Sequence, residues 1–185
     1  MNTTLTSTLR VFDDTDASRT LVDTTDRAEI ARILGANGIV FEHWDASAPL
    51  TAESDSDAIL TAYAADIERL KSTSGYTTVD VIRIGPATPN LPALRAKFLS
   101  EHTHSEDEVR FFVEGSASFY LRLGGKVYQT ICTRGDLLSV PANTTHWFDM
   151  GPAPQFAAIR LFINPEGWVA NYTGDDIAAR FPTYE

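Results

Sequence analysis

The sequence predicts a mainly β protein, a small barrel or sandwich of antiparallel strands with helices packed on it. Three observations predict it. From Val109 onward the chain is a succession of short apolar and β-branched runs separated by glycine, proline and aspartate turns. Gly124-Gly125 joins two of these runs as a two-residue hairpin. Helical spacing of apolar residues is confined to the first half, clearest at Ala28 to Leu34 and Ile59 to Leu70.

The elements follow in order. Residues 5–12 alternate well enough for a short strand, and Asp13 to Thr20 is polar and reads as a loop. Asp26 caps a helix with Glu29 three residues on, and Gly35-Ala-Asn-Gly38 ends it. Ile39-Val-Phe41 is a short apolar run. Ser54-Asp-Ser-Asp57 offers caps for one helix carrying Ile59, Leu60, Tyr63, Ile67 and Leu70, closed at Ser74-Gly75. Thr77 to Ile84 is β-branched and strand-like. Leu91 to Phe98 forms a short helix with Pro92 in its first turn. Strands then follow at Val109–Val113, ending at Glu114-Gly115, and at Ser116–Leu123, Lys126–Cys132, Asp136–Val140 and Gln155–Ile163. The tail is a loop with one helical turn near Asp175 to Arg180.

The 185 residues suit one domain spanning 1–185. Its helix-rich part covers about 1–98, the barrel motifs about 99–170 and the tail 171–185. A chain of this length buries about 70% of its unfolded surface, so it needs no staples. The formal charge of −10 argues against nucleic acid and anionic membrane as partners, because phosphates call for a basic surface. A single cysteine, Cys132 in a strand-like run, excludes an internal disulfide and a cysteine-rich zinc site and reads as buried. The N-terminus has no basic and apolar leader pattern, and no run approaches a membrane span. A cytoplasmic monomer is the expectation.

The chemistry concentrates in His102-Thr-His104-Ser-Glu-Asp-Glu108-Val-Arg110 and, further on, in Pro141-Ala-Asn-Thr-Thr-His146-Trp-Phe-Asp. Three of the chain's four histidines fall in these stretches, and His43 reads as a structural or surface histidine. On an extended chain His102 and His104 point the same way, with Glu108 and Arg110 in the same parity. Alternatively Ser105-Glu-Asp107 is a tight turn and Glu108 opens the next strand. Either geometry brings three imidazoles and a carboxylate together as a metal site. Imidazole suits iron, nickel, copper and zinc, and the carboxylate hardens the set toward first-row divalent ions.

These stretches resemble the paired motifs of the cupin superfamily, a jelly-roll β-barrel. The first is His102-x-His104-x3-Glu108-x6-Gly115, and the second runs from Gly135 through Pro141 to His146. Within it they are most similar to the acireductone dioxygenase family, through residues 102–115, Val140-Pro-Ala142, His146-Trp-Phe-Asp149, Phe156 to Phe162 and Gly167-Trp-Val-Ala170. Three positions depart from the common second motif: Asn143 replaces a glycine, Thr145 a frequent arginine and Met150 an asparagine. Asn is the residue that best tolerates positive φ after glycine, so the turn at Asn143 is expected to survive.

The resemblance implies His102, His104, Glu108 and His146 as ligands of one Fe²⁺ or Ni²⁺ per monomer. It implies an acireductone and O₂ as substrates in methionine salvage. The iron form would give formate and 4-methylthio-2-oxobutanoate, and the nickel form carbon monoxide, formate and 3-methylthiopropanoate. Arg110 would hold a substrate oxygen, its bland alternative being an ion pair with Glu106 or Asp107. Phe98, Phe148 and Trp168 would receive the methylthio tail, since aromatic faces accept thioether sulfur. Glu101, Glu106 and Asp107 read as an acidic rim from which one could orient a ligand imidazole. Two other readings stand beside this one. Another metal-dependent cupin enzyme would keep the ligands without reason to keep Arg110 and the two tryptophan segments. A non-enzymatic metal-binding cupin would close its coordination sphere.

Overall fold

The computed structural model describes residues 5–185, so the first four residues of the leader reading lie outside it. The chain runs β1 (Thr8–Asp13), β2 (Asp16–Thr24), α1 (Arg27–Gly35), β3 (Val40–His43), α2 (Ser56–Ala62), α3 (Ala64–Ser74), β4 (Thr78–Ile84) and α4 (Leu91–Leu99). It continues with β5 (His102–Thr103), β6 (Glu108–Leu123), β7 (Lys126–Thr133), β8 (Asp136–Val140), β9 (Thr145–Asp149), β10 (Phe156–Phe162) and β11 (Asn171–Tyr172). A single 3-10 turn, Ile177–Arg180, lies in the tail.

Strand β6 organises the barrel by belonging to two sheets. Its first half pairs with β8 and β10, and its second half with β7 and β9. One sheet has the order β3-β8-β6-β10-β4, and the other β11-β5-β9-β6-β7-β1-β2, with every pairing antiparallel. A strand that turns a barrel corner needs a local irregularity. Here it is Gly115, at φ 66°, beside a register shift against β10. The shift also switches parity. Phe112 faces the interior before the corner, and Ala117, Phe119 and Leu121 face it afterwards. What reads in sequence as two strands is therefore one strand, bent where a glycine permits it. A Cβ at Gly115 would lie 1.8 Å from the Gln155 carbonyl oxygen. Gly115→Ala is expected to cost at least the about 1–3 kcal/mol of left-handed strain, and more for the clash. Thermal unfolding checks this, and an unchanged Tm would show that the corner relaxes freely.

Three apolar clusters hold the elements. One fills the barrel between the sheets and under α1, including Leu34, Phe112, Phe119, Phe148 and Phe156. A second lies between β6, β10 and helices α2 and α3, around Ile59, Ile67, Phe111 and Ile159. A third lies under the tail, where Ile177 and Phe181 cover Phe12, Tyr120 and Trp147. Cys132 is buried in the first cluster.

Two local expectations are corrected, and two strands appear that the sequence did not signal. The polar stretch after Asp13 is mostly strand β2, among the described residues an edge paired only with β1 and largely exposed on both faces, so it shows no alternation. The single helix expected over Ile59–Leu70 is two, α2 and α3, meeting at Tyr63. The apolar stripe continues across the bend, with the Tyr63 ring edge-on to Phe111 at 5.5 Å. Strands β9 and β11 carry no strand-like alternation: β9 is almost wholly buried on both faces, and β11 is two exposed residues. Among the described residues no helix is long and apolar enough to cross a membrane.

Candidate metal centre

Strand β5 lies between β11 and β9, and its register sets His102 directly opposite His146. The two rings are 4.4 Å apart, and His104 lies 5.1 Å from each. Residues 105–107 form a bend rather than a continued strand, so the turn alternative holds and Glu108 opens β6. Asp107 fixes this turn by accepting the Ala142 N–H at 2.8 Å, and His104 C=O accepts the Asn143 N–H at 2.8 Å. The two motifs are thereby joined backbone to backbone. Asn143 adopts φ 60°, the left-handed conformation expected of it.

Each imidazole is oriented by a main-chain carbonyl. His102 Nδ1 meets Ser100 O at 2.7 Å, His104 Nδ1 meets Val169 O at 3.1 Å, and His146 Nδ1 meets Thr144 O at 2.8 Å. A carbonyl only accepts, so Nδ1 must carry the proton and Nε2 is left with its lone pair. One ligand atom from each of the three histidines lies within 4.8 Å of the others. Glu108 Oε2 reaches His146 Nε2 at 3.2 Å and His104 Nε2 at 3.5 Å. That oxygen is buried and has no hydrogen-bond partner.

The electrostatics fit a cation. Burial lowers the pKa of His102 to about 4, helped by neighbouring His146, and burial also lowers that of His104. Both are therefore neutral near pH 7. Burial would raise the pKa of Glu108, but the Arg110 guanidinium outweighs it and holds the carboxyl well below its usual range. An ionised carboxylate oxygen without a donor, set among three lone-pair nitrogens, is a costly arrangement unless a cation joins them. Three nitrogens and a hard oxygen suit a divalent first-row ion.

Above the imidazoles opens a cavity of about 420 Å³, whose wall includes His102, His104, Glu108 and Arg110. This volume is in the range of small-molecule sites. Arg110 Nε donates to Glu108 Oε1 at 2.6 Å, not to Glu106 or Asp107, and its Nη1 is buried without a partner. Its guanidinium lies 4.6 Å from the Phe148 ring and 5.0 Å from Phe119. Phe98, Phe148 and Trp168 all line the cavity, Phe98 edge-on to Phe148 at 5.7 Å. Trp168 stands at the mouth, 51% exposed.

The acidic trio is differently employed from the expected rim. Glu101 is 2% exposed and accepts from Thr173 Oγ1 at 2.8 Å, while Glu106 accepts the Asn164 N–H at 2.8 Å. None of the three holds an imidazole, because backbone carbonyls already do. His43 lies apart from the cluster, 2.9 Å from the buried Asp136 carboxylate. Sequence reasoning missed Arg160, which lines the cavity, stands opposite Arg110 in the β10–β6 register and forms a two-pronged pair with Asp80. The signal was present: an arginine inside the apolar run Phe-Ala-Ala-Ile-Arg-Leu-Phe.

The ARD/ARD′ family profile matches residues 8–170. The acireductone dioxygenase of Parvibaculum lavamentivorans is 57% identical over 96% of both chains. That of Alcanivorax borkumensis is 55% identical over 95% of this chain and 97% of its own. The solved acireductone dioxygenase from Bacillus anthracis, described with a cadmium ion in its active centre, superimposes with a TM-score of 0.79 at 31% identity. That likeness covers 90% of this chain and 98% of that one. A jelly-roll barrel, three gathered imidazoles beside a carboxylate and this kinship over nearly the whole length lead to one conclusion: the chain belongs to the ARD/ARD′ family and is a dioxygenase of cupin fold.

Proposed function

We propose that the protein cleaves an acireductone, 1,2-dihydroxy-3-keto-5-(methylthio)pentene, with O₂ in methionine salvage, using one Fe²⁺ or Ni²⁺ held by His102, His104, His146 and Glu108. The observation that carries this reading is the unpartnered Glu108 oxygen among three imidazoles at the cavity wall. Kinship supplies the substrate. Bound there, a divalent ion would supply positive charge that favours the ionised enediol.

The chain's own residues do the rest. The Nδ1 bonds to carbonyls fix the three rings, so Nε2 need not reorganise. Arg110 offers a donor that nothing in the protein accepts, suited to a substrate oxygen gaining charge. Phe98, Phe148 and Trp168 form the apolar side, suited to a thioether tail. With Fe²⁺ the products are formate and 4-methylthio-2-oxobutanoate. With Ni²⁺ they are carbon monoxide, formate and 3-methylthiopropanoate. The reading includes a single unit over residues 1–185 working as a cytoplasmic monomer, with no nucleic acid or membrane partner. The exposed Trp168, Val169 and Tyr172 line the cavity, which accounts for them without a subunit interface.

The test is oxygen-dependent loss of acireductone by apoprotein reloaded with Fe²⁺ and with Ni²⁺, with headspace carbon monoxide assayed. Turnover is expected with both ions and carbon monoxide with nickel alone. Bound metal without turnover in either case would leave a metal cupin with another substrate.

A further inference from the structure

Helix α4 walls one side of the cavity with Leu94 and Phe98. Yet none of its residues is fully buried, and its N-cap, Asn90, sits at φ 57° with no side-chain capping bond. Burial and capping, the usual anchors of a short surface helix, are both weak here. Leu91, Leu94, Phe98 and Leu99 pack on the core while still partly exposed, and a polar contact adds direction to that packing.

Arg95, on the same helix, donates from Nε to Asp149 Oδ1 at 2.7 Å and from Nη2 to Oδ2 at 3.0 Å. This is the two-pronged geometry that gives a guanidinium–carboxylate pair its direction. Asp149 closes β9, the strand that carries His146 and Phe148, and its side chain is 0% exposed. Its remaining acceptor capacity is used by the N–H groups of Gly151 and Tyr184, each at 2.9 Å. Arg95 Nη2 also reaches Tyr184 C=O at 3.2 Å. The backbone of Tyr184 thus grips both members of the pair. The tail arrives there because Ile177 and Phe181 are buried beside Tyr120 and Trp147, and Tyr120 donates its hydroxyl to Pro182 C=O at 2.7 Å.

We propose that Arg95, Asp149 and the backbone of Tyr184 form a latch that sets the position of α4, making Arg95 a positioning residue for the apolar end of the substrate cavity. The mechanical link is short. Phe98 follows Arg95 by one helical turn, and its ring meets Phe148 on the strand that ends in Asp149. When the pair opens, α4 loses its anchor and Phe98 its fixed place against Phe148. The imidazoles are held largely from elsewhere: β5 and β9 pair His102 with His146, the Val169 and Thr144 carbonyls orient His104 and His146, and only the Ser100 carbonyl on His102 sits at the end of α4. A loosened apolar wall weakens binding of the non-reacting end of a substrate, which appears in KM before kcat. The kinetic part of this inference rests on the proposed substrate site.

Three full-length or near-full-length holoproteins test it: Arg95→Met, Tyr184→Ala and a chain ending at Pro182. Hydrogen exchange over residues 91–99, metal content, KM and kcat are measured on each. Arg95→Met and the shortened chain are expected to exchange faster over 91–99 while β6 and β9 stay protected and metal is retained. Their KM should rise by about tenfold with kcat little changed, a modest instance of the losses that misplacement remote from the chemistry produces. Tyr184→Ala keeps the backbone grip while losing the hydroxyl bond to Ser116 and the ring's place beside Gly151, and should resemble wild type far more than the shortened chain does. Unchanged exchange and KM in both of the first two would overturn the latch. So would a Tyr184→Ala protein that behaves like the shortened one. If wild type fails to turn over acireductone, the proposed function falls, and exchange over 91–99 still decides the latch.

Discussion

His146→Ala is expected to yield a folded protein that no longer holds metal. His146 occupies the middle of the constellation. It is paired in register with His102, lies 5.1 Å from His104, and faces the unpartnered Glu108 oxygen. Its side chain is buried, 2% exposed. Loss of an outer hydrogen-bond partner alone lowers metal affinity by about 10–100-fold, and loss of a ligand should exceed that. Two readouts separate metal loss from misfolding. Metal content should drop from one ion per chain to a trace. Added Fe²⁺ or Ni²⁺ should raise the wild-type Tm, since an ion at 100 times its Kd contributes about 2.7 kcal/mol, and should leave the variant's Tm in place. Far-UV circular dichroism checks the barrel. Stoichiometric metal in a folded His146→Ala protein would remove this residue from the ligand set.

Arg110→Ala is expected to keep the metal and lose turnover. Two effects are superimposed. In the metal-free protein the substitution leaves the Glu108 carboxylate, 3% exposed, without the guanidinium that donates to it. Breaking a buried pair in this way costs about 3–5 kcal/mol. A bound divalent ion replaces the missing charge, so metal should restore much of the Tm of the variant. Turnover should not return with it. Removing a preorganised donor aimed at developing charge costs about 10²–10³ in kcat. Arg110→Lys should recover little, because an ammonium cannot reproduce the planar fork that bonds Glu108 through Nε while lying over Phe148. Metal-saturated kcat near wild type in Arg110→Ala would show that the arginine serves Glu108 alone.

The helices α1 and α4, the Gly124-Gly125 hairpin and strands β4, β7, β8 and β10 were all legible, because their signals are local. Caps, turn glycines and β-branched runs act within a few residues of where they stand. The misread segments have distant causes. Strand β2 is a strand because β1 needs a partner. The bend at Tyr63 contains neither glycine nor proline and sits where Phe111 receives the ring. Gly115 looked like an end because glycine usually punctuates strands, whereas here it turns a corner.

For the site, the sequence by itself determined the donor chemistry: two histidines two residues apart, a glutamate after a turn, an arginine two residues on, and a third histidine behind a proline-led loop. Residue type sets pKa, softness and charge, and these need no coordinates. Only the tertiary structure decided which partners those groups meet. The carbonyl that orients His104 belongs to Val169, 65 residues away, and a backbone carbonyl has no sequence signature. The anchor of α4 joins Arg95 to Asp149 and to the tail at Tyr184, positions that no periodicity connects. The expected acidic rim became a set of structural pins because each carboxylate meets a donor from a segment distant in sequence, the Ala142 and Asn164 N–H groups and the Thr173 hydroxyl.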